Sequence, residues 1–315
     1  MALDIVTAAY RAGAFASRTL PLRLADLTAN GLSRTVARVS RERRMIVARH
    51  LQRVRPELDG RALRRAVDET FESYARYWVE SFRLPDMSPE QVDAGFVVEN
   101  FEYIKDAIDA GTGVVVTMPH LGGWDWSGFW LTSVRGYEVT VVVEAVEPPA
   151  LFEFFASFRR ELGINVIALG PSSGTEILRA LARNHVVCLL ADRDINGDGI
   201  ELEMFGEVTS IPAGPAMLAL RSGAPLLTAA IYFEGAHGHR AVVQPPLDTE
   251  RRGRLRDDVD RVTHEMVDRL EGLIRRAPEQ WHLQQPNWPS DYELLEAIGK
   301  PHPRPAAGPA SRREV

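Results

Sequence analysis

The chain has 315 residues, 45% hydrophobic and 25% charged, with a formal net charge of −6 and a mean hydropathy of −0.16. That is the composition of a soluble globular chain, long enough for one large α/β domain or two small ones. No run reaches the roughly 18 apolar residues that span a bilayer, and the single cysteine, Cys188, excludes an intramolecular disulfide.

The net charge hides an asymmetry. Residues 1–65 hold fourteen arginines against five acids, a balance of +9, which leaves −15 on the remainder. A basic segment beside an acidic body suggests an anionic surface as partner, or else a solvated helical face. The N-terminus lacks a basic n-region with a continuous apolar core, so no secretory signal is expected.

In chain order, residues 2–18 place Leu3, Ile5, Val6, Tyr10 and Phe15 among small residues and two arginines. The pattern fits an interfacial helix with Arg11 and Arg18 at headgroup level, or a first helix docked on the body. Helical patterns continue over 32–54 and 60–82, broken between Pro56 and Gly60. The second carries Phe71, Tyr74, Tyr77, Trp78 and Phe82, a stripe at helical spacing that predicts a core face.

From about residue 95 the pattern alternates. Strands are predicted at 96–98, 113–118, 138–144, 165–168, 186–191, 201–205, 225–233 and 240–244. Helices are predicted at 100–110, 124–133, 149–162, 173–184, 213–222 and 251–275. Such alternation predicts an α/β fold with a largely parallel central sheet flanked by helices, behind an N-terminal helical segment. The organisation expected is a basic helical segment over 1–90, an α/β domain over 91–295 and a disordered tail over 296–315. Ligands in such sheets bind beyond the carboxyl ends of strands, where His120, Glu144 and Asp192 all fall.

The stretch with most chemical character is Met118-Pro119-His120-Leu121-Gly122-Gly123-Trp124-Asp125, which joins a buried strand to a helix. Neutral imidazole can take a hydroxyl proton as a nucleophile attacks. A neighbouring carboxylate, here Asp125, would fix its tautomer and stabilise the imidazolium. Gly122 and Gly123 would let substrate approach, and amides at the helix start could bind an oxyanion. The alternative is a structural histidine beside an aspartate that caps the helix. Residues 192–203 match the EF-hand pattern, but strands rather than helices flank it, so Asn196-Gly197-Asp198-Gly199 reads as a turn. His282 reads as a packed side chain, and His237 with His239 lacks the further ligand that a metal would need. Cys188 sits in an apolar run and reads as a structural thiol.

His-x4-Asp after an apolar strand, with Gly-Gly-Trp between, resembles the glycerolipid and lipid A type acyltransferase superfamily. Further segments are similar to its actinobacterial phosphatidylinositol mannoside acyltransferases. They are Tyr74-Ala75-Arg76-Tyr77-Trp78, Phe82-Arg83-Leu84-Pro85, Phe158-Arg159-Arg160-Glu161-Leu162-Gly163 and Met204-Phe205-Gly206-Glu207. Ile211-Pro212-Ala213-Gly214-Pro215-Ala216 and Trp281-His282-Leu283-Gln284-Gln285-Pro286-Asn287-Trp288 complete the set. The resemblance covers roughly residues 70–290. It implies transfer of an acyl group from acyl-CoA to a sugar hydroxyl of a phosphatidylinositol mannoside or similar glycolipid. It implies His120 as base, Asp125 as its partner and Gly123, Glu144, Asp192, Arg159 and Arg193 at the substrates. Arg159 and Arg193 would serve as phosphate contacts or, equally, as surface salt bridges, and Glu144 and Asp192 would equally serve as strand-end acids satisfied by local backbone amides. It implies no metal, no tightly bound cofactor, no nucleic-acid partner, and a peripheral place on the cytoplasmic face of the cell membrane.

Two positions depart from that pattern. Ala145 stands where relatives carry arginine, and Asp192 where they carry glutamate, one methylene longer, so that the Asp192 carboxylate is held further back from a polar headgroup or from the catalytic histidine. Both bear on the acceptor rather than on the reaction class. The rival functions are an acyl-CoA thioesterase with water as nucleophile and a basic lipid- or nucleic-acid-binding module in which His120 is structural.

Overall fold

The computed structural model describes residues 2–25, 27, 28, 31 and 40–304. A seven-stranded sheet forms the centre, in the order β1-β9-β8-β2-β5-β3-β4. These strands are β1 Phe96–Glu99, β2 Val114–Met118, β3 Val139–Val143, β4 Ile164–Ala168, β5 Val186–Leu190, β8 Leu226–Glu234 and β9 Gly238–Val243. Every pairing is parallel except β8 with β9, a hairpin that turns through Gly235.

The sheet is central because β2 is buried along its whole length, as its Val-Val-Val-Thr-Met sequence predicts for a strand covered on both faces. Its side chains divide by the two-residue period. Val115 packs with Val187, Leu189 and Leu226 on one face; Val114, Val116 and Met118 pack with Val186, Leu227 and Ala229 on the other. Among the helices covering the first face is Leu255–Arg276, whose Val259, Val262, Met266, Leu270, Leu273 and Ile274 recur at helical spacing and are buried.

The segment around 201–205 departs from the expected alternation. β6 (Ile200–Met204) pairs antiparallel with β7 (Glu207–Ile211) as a separate two-stranded sheet. Phe205 (φ 53°) and Gly206 (φ 79°) make the two-residue turn between them, both left-handed as a tight hairpin turn requires.

The N-terminal helices are α1 Ala2–Thr19, α2 Arg41–Val54 and α3 Gly60–Arg83. Of the helix expected over 32–54, residues 32–39 lie outside the described residues, as do residues 305–315 of the expected tail. α1 is docked: Tyr10 packs edge-on against Trp78 and Phe155 at 5.1 Å, and Arg83 donates to the carbonyls of Ser17 and Leu20. Arg18 pairs with Asp86 at 2.6 Å. Phe15 is 71% and Val6 43% exposed. α2 is fastened to the C-terminal helix α4 (Pro289–Ala297) by a buried charge knot. Asp291 accepts from Arg49 at 2.8 Å and Arg53 at 2.9 Å, and lies 3.1 Å from His50 Nε2. Burial alone would raise the Asp291 carboxyl, but the hydrogen bond and charge of His50, with Arg53 and Arg49, hold it below the usual carboxylate range.

Candidate active site

The strand order assembles the site. β2 lies between β8 and β5, and β5 lies between β2 and β3. His120 follows β2, Asp192 follows β5 and Glu144 follows β3, so three adjacent strands deliver them to one edge of the sheet. The register pairs Met118 with Leu190, and two residues later His120 meets Asp192.

That contact is close. Asp192 Oδ1 lies 2.7 Å from His120 Nδ1, and its Oδ2 accepts the backbone N–H of His120 at 2.9 Å. Trp281 Nε1–H also donates to Oδ2, at 2.7 Å, and the Asp192 carbonyl accepts from Asn287 Nδ2 at 3.1 Å. Asp192 is fully buried, which by itself would raise its pKa. The charge and hydrogen bond of His120, with the donors from Trp281 and the backbone, outweigh burial and hold the carboxyl below its ordinary value. An ionised carboxylate can only accept, so Nδ1 carries a proton, and in the neutral ring Nε2 keeps a free lone pair. Nε2 has no hydrogen-bond partner among the described residues, on a side chain that is 30% exposed.

Asp125 does not orient His120. Its carboxylate accepts from Arg159 Nε at 2.9 Å, Arg159 Nη2 at 3.1 Å and the Tyr77 hydroxyl at 2.5 Å. Gly122 and Gly123 turn the chain so that Asp125 enters the first turn of the next helix, α5 (Trp124–Ser133), facing α3 and α6 (Pro149–Glu161). Arg159 is accordingly no phosphate contact: it is 12% exposed and spent on Asp125. The buried trio joins three helices beneath the site. Burial and the adjacent Asp125 charge push the Tyr77 phenol well above its ordinary pKa, so it stays a donor.

The two glycines serve packing rather than substrate approach. Gly122 has φ +61°, and a Cβ there would lie 1.8 Å from the Ile231 carbonyl oxygen. A Cβ on Gly123 would lie 2.8 Å from the His239 ring. Their amides are occupied as well, donating to Gln280 O at 3.0 Å and Ile231 O at 3.2 Å. Neither amide is free for an oxyanion. Arg193 Nη1 lies 3.7 Å from Glu144 Oε2, at the mouth of the same sheet edge, and its buried Nε has no partner among the described residues.

Trp281 and His282 complete the site, and neither was expected in it. Trp281 bridges Leu121 in antiparallel fashion, and the His282 N–H donates to the His120 carbonyl at 2.7 Å. The His282 ring is a packed one. It is buried against Tyr74, Tyr77 and Trp124, with Nε2 2.8 Å from Ser73 Oγ. Burial, then the charge of His120, lowers its pKa to about 3. A histidine held neutral in the fold but protonated below about pH 6.5 when unfolded stabilises fully above that pH. The contribution is lost as pH falls from about 6.5 towards 3. By pH 5 the loss is about 2 kcal/mol. Chemical denaturation of the wild type and His282→Phe at pH 7 and pH 5 measures it. The variant should lose less stability between the two, and equal losses would contradict the assignment.

The remaining candidates resolve into structure. Asp194 Oδ1 accepts the amides of Asn196 and Gly197, and its Oδ2 accepts Gly199 N–H and Ser210 Oγ–H, so the EF-hand match is a staple for the turn before β6. His239 is buried on Trp126 and bonded to Glu80, whereas His237 is exposed. Among the described residues no group of three or more His, Cys, Asp or Glu could hold a metal. Burial pushes the Cys188 thiol up to about 12.

The pattern of the bacterial lipid A biosynthesis acyltransferases matches residues 3–290. The phosphatidylinositol mannoside acyltransferase of Mycolicibacterium smegmatis is 39% identical over 222 residues, covering 70% of this chain and 71% of that protein. The protein of the same name from Mycobacterium tuberculosis (strain CDC 1551 / Oshkosh) is 39% identical over 229 residues, covering 70% of each. The 1-acyl-sn-glycerophosphate (LPA) acyltransferase PlsC from Thermotoga maritima aligns with a TM-score of 0.37 and 15% identity, over 80% of this chain and 97% of that one. At that level no site residue carries over.

Proposed function

The chain belongs to the bacterial lipid A biosynthesis acyltransferase family, and we propose that it moves a fatty acyl group from acyl-CoA to a sugar hydroxyl of a phosphatidylinositol mannoside or a closely similar glycolipid. One observation carries the chemistry: the Nδ1–H of His120 is taken by the buried carboxylate of Asp192, which leaves Nε2 as the free basic nitrogen of a partly exposed ring.

Nε2 removes the proton of the acceptor hydroxyl as its oxygen attacks the thioester carbonyl carbon. The new C–O bond gives a tetrahedral adduct, and its collapse breaks the C–S bond. The proton passes from the imidazolium to the departing sulfur, releasing CoA as thiol and the acylated glycolipid. Asp192 stabilises the transient imidazolium without taking the proton, the part expected of Asp125. Although one methylene shorter than the glutamate that the resemblance implies at this position, Asp192 reaches His120 because the parallel register of β2 and β5 brings the two backbones together. Glu144, 41% exposed, and Arg193 are the polar groups for the acceptor headgroup.

A glycolipid acceptor resides in a membrane, and the chain has a segment suited to one. Exposed Phe15, Val6, Leu24 and Leu27 lie in the basic N-terminal segment, an apolar and cationic combination that favours an anionic bilayer surface. The contact proposed is a peripheral one on the cytoplasmic face; no described helix is long and apolar enough to cross a membrane.

Mass spectrometry of products after incubation with acyl-CoA and phosphatidylinositol mannosides tests the reaction. The expected products are the glycolipid heavier by one acyl group and free CoA, both absent with folded His120→Ala. Product formed by that variant would sink the role of His120. CoA release that does not depend on added glycolipid would favour a hydrolase, and lipid binding without turnover a binding module.

A further inference from the structure

We propose, resting on the reading of His120 as the base, that Trp281 is a positioning residue for the reaction: its indole N–H fixes the carboxylate plane of Asp192 and supports its charge, so that Oδ1 stays directed at the imidazole. A carboxylate at the end of a strand can rotate about its terminal torsion, which is broad and roughly two-fold. Here rotation is blocked by assigning each oxygen its own donors. Oδ1 serves His120 Nδ1, whereas Oδ2 serves the His120 backbone N–H and, at 2.7 Å, the indole.

The indole itself has no freedom to turn away. Trp281 is 3% exposed and wedged between His50, 5.4 Å away and tilted 30°, Phe205 at 5.8 Å and Trp288 at 6.3 Å and nearly perpendicular. Trp288 is anchored in turn through its Nε1–H, within 3.2 Å of the carbonyls of both Met204 and Glu207. One short strap therefore holds both members of the pair. The backbone of 281–282 pairs with the loop that carries His120, and the side chain of 281 holds Asp192. A fully buried carboxylate depends on such donors to stay ionised. A phenyl ring in this place would keep much of the packing and lose the donor.

Two measurements on the full chain test the proposal. In protein labelled with 15N-tryptophan, the Trp281 indole N–H signal is assigned by its loss in Trp281→Phe or, should that variant not fold, in Trp281→His. It is expected to sit downfield among the six indoles and to move upfield in Asp192→Asn. In steady-state kinetics, Trp281→Phe is expected to lower kcat by about tenfold to a hundredfold, the effect of a lost hydrogen bond to a charged group, with KM for both substrates changed by no more than about twofold. An indole signal indifferent to Asp192→Asn overturns the proposal, as does wild-type kcat in a folded Trp281→Phe or a rise in KM alone. Were the unmutated protein to show no acyl transfer, the reading of the reaction would fail, and the indole response would still decide the contact.

Discussion

Asp192→Asn is expected to lower kcat for acyl transfer by roughly 10³- to 10⁴-fold with the fold intact. The amide cannot satisfy the donors that surround it. If its oxygen faces His120 Nδ1, its NH2 group confronts the indole of Trp281 and the backbone N–H of His120. If it flips, the NH2 meets Nδ1, which must then accept, and the imidazole proton moves to Nε2. That tautomer has no base left for the hydroxyl. Asp125→Asn should behave in the opposite way. It leaves the 12%-exposed guanidinium of Arg159 without its counter-charge, a loss of roughly 3–5 kcal/mol in stability, while the folded fraction keeps far more activity than Asp192→Asn. Kinetics and chemical denaturation on both variants separate the two roles. An Asp192→Asn protein that retained a tenth of the wild-type rate would refute the assignment.

The second large effect falls on folding. Gly122→Ala should destabilise the protein by roughly 3 kcal/mol or more and abolish activity with it. The added methyl carbon would stand 1.8 Å from the Ile231 carbonyl oxygen, 2.9 Å from its carbon and 3.3 Å from Tyr232 Cα. All three are backbone atoms of the buried strand β8, so no side chain can yield to relieve the overlap. The left-handed φ adds its own cost. Gly136→Ala isolates that cost, because Gly136 has φ +68° and no atom within 4 Å of a Cβ; it should lose only about 1–2 kcal/mol. Denaturant midpoints compare the two, and a Gly122→Ala protein as stable as the Gly136 variant would contradict the packing role.

The architecture was legible because its signal is local. Runs such as Val114-Val115-Val116-Thr117 and Val186-Val187-Cys188-Leu189-Leu190, short and rich in β-branched residues, read as strands covered on both faces, and the amphipathic segments between them read as the covering helices. The capping box at Ser88 and Gln91, which opens a short helix at Pro89–Ala94, is an equally local signal. The partner of His120 was not legible in the same way. Spacing along the chain favours Asp125, five residues on, but a left-handed turn and the start of a helix carry that side chain to Arg159 and Tyr77. The true neighbour is 72 residues away in sequence and is brought in by strand order, which no local period encodes. The same holds for Arg159, since an arginine with its acid out of sight reads equally as a phosphate ligand or as half of a salt bridge. For the 281–288 segment, similarity marked the place without the role. A tryptophan beside a histidine reads as core until its N–H is seen to end on a carboxylate.

The charge knot between α2 and α4 has a consequence for how the protein comes into being. His50 and Asp291 are 241 positions apart, so α2 emerges from a ribosome long before α4 brings the acid that Arg49, His50 and Arg53 share. Trp281 arrives at Asp192 almost as late. The early helices can form and the sheet can pair as strands are added, but the clasp closes only when synthesis is nearly over. Until that moment His120 has a carboxylate without its indole and a loop without its strap, and the nascent chain is an acyltransferase in outline only.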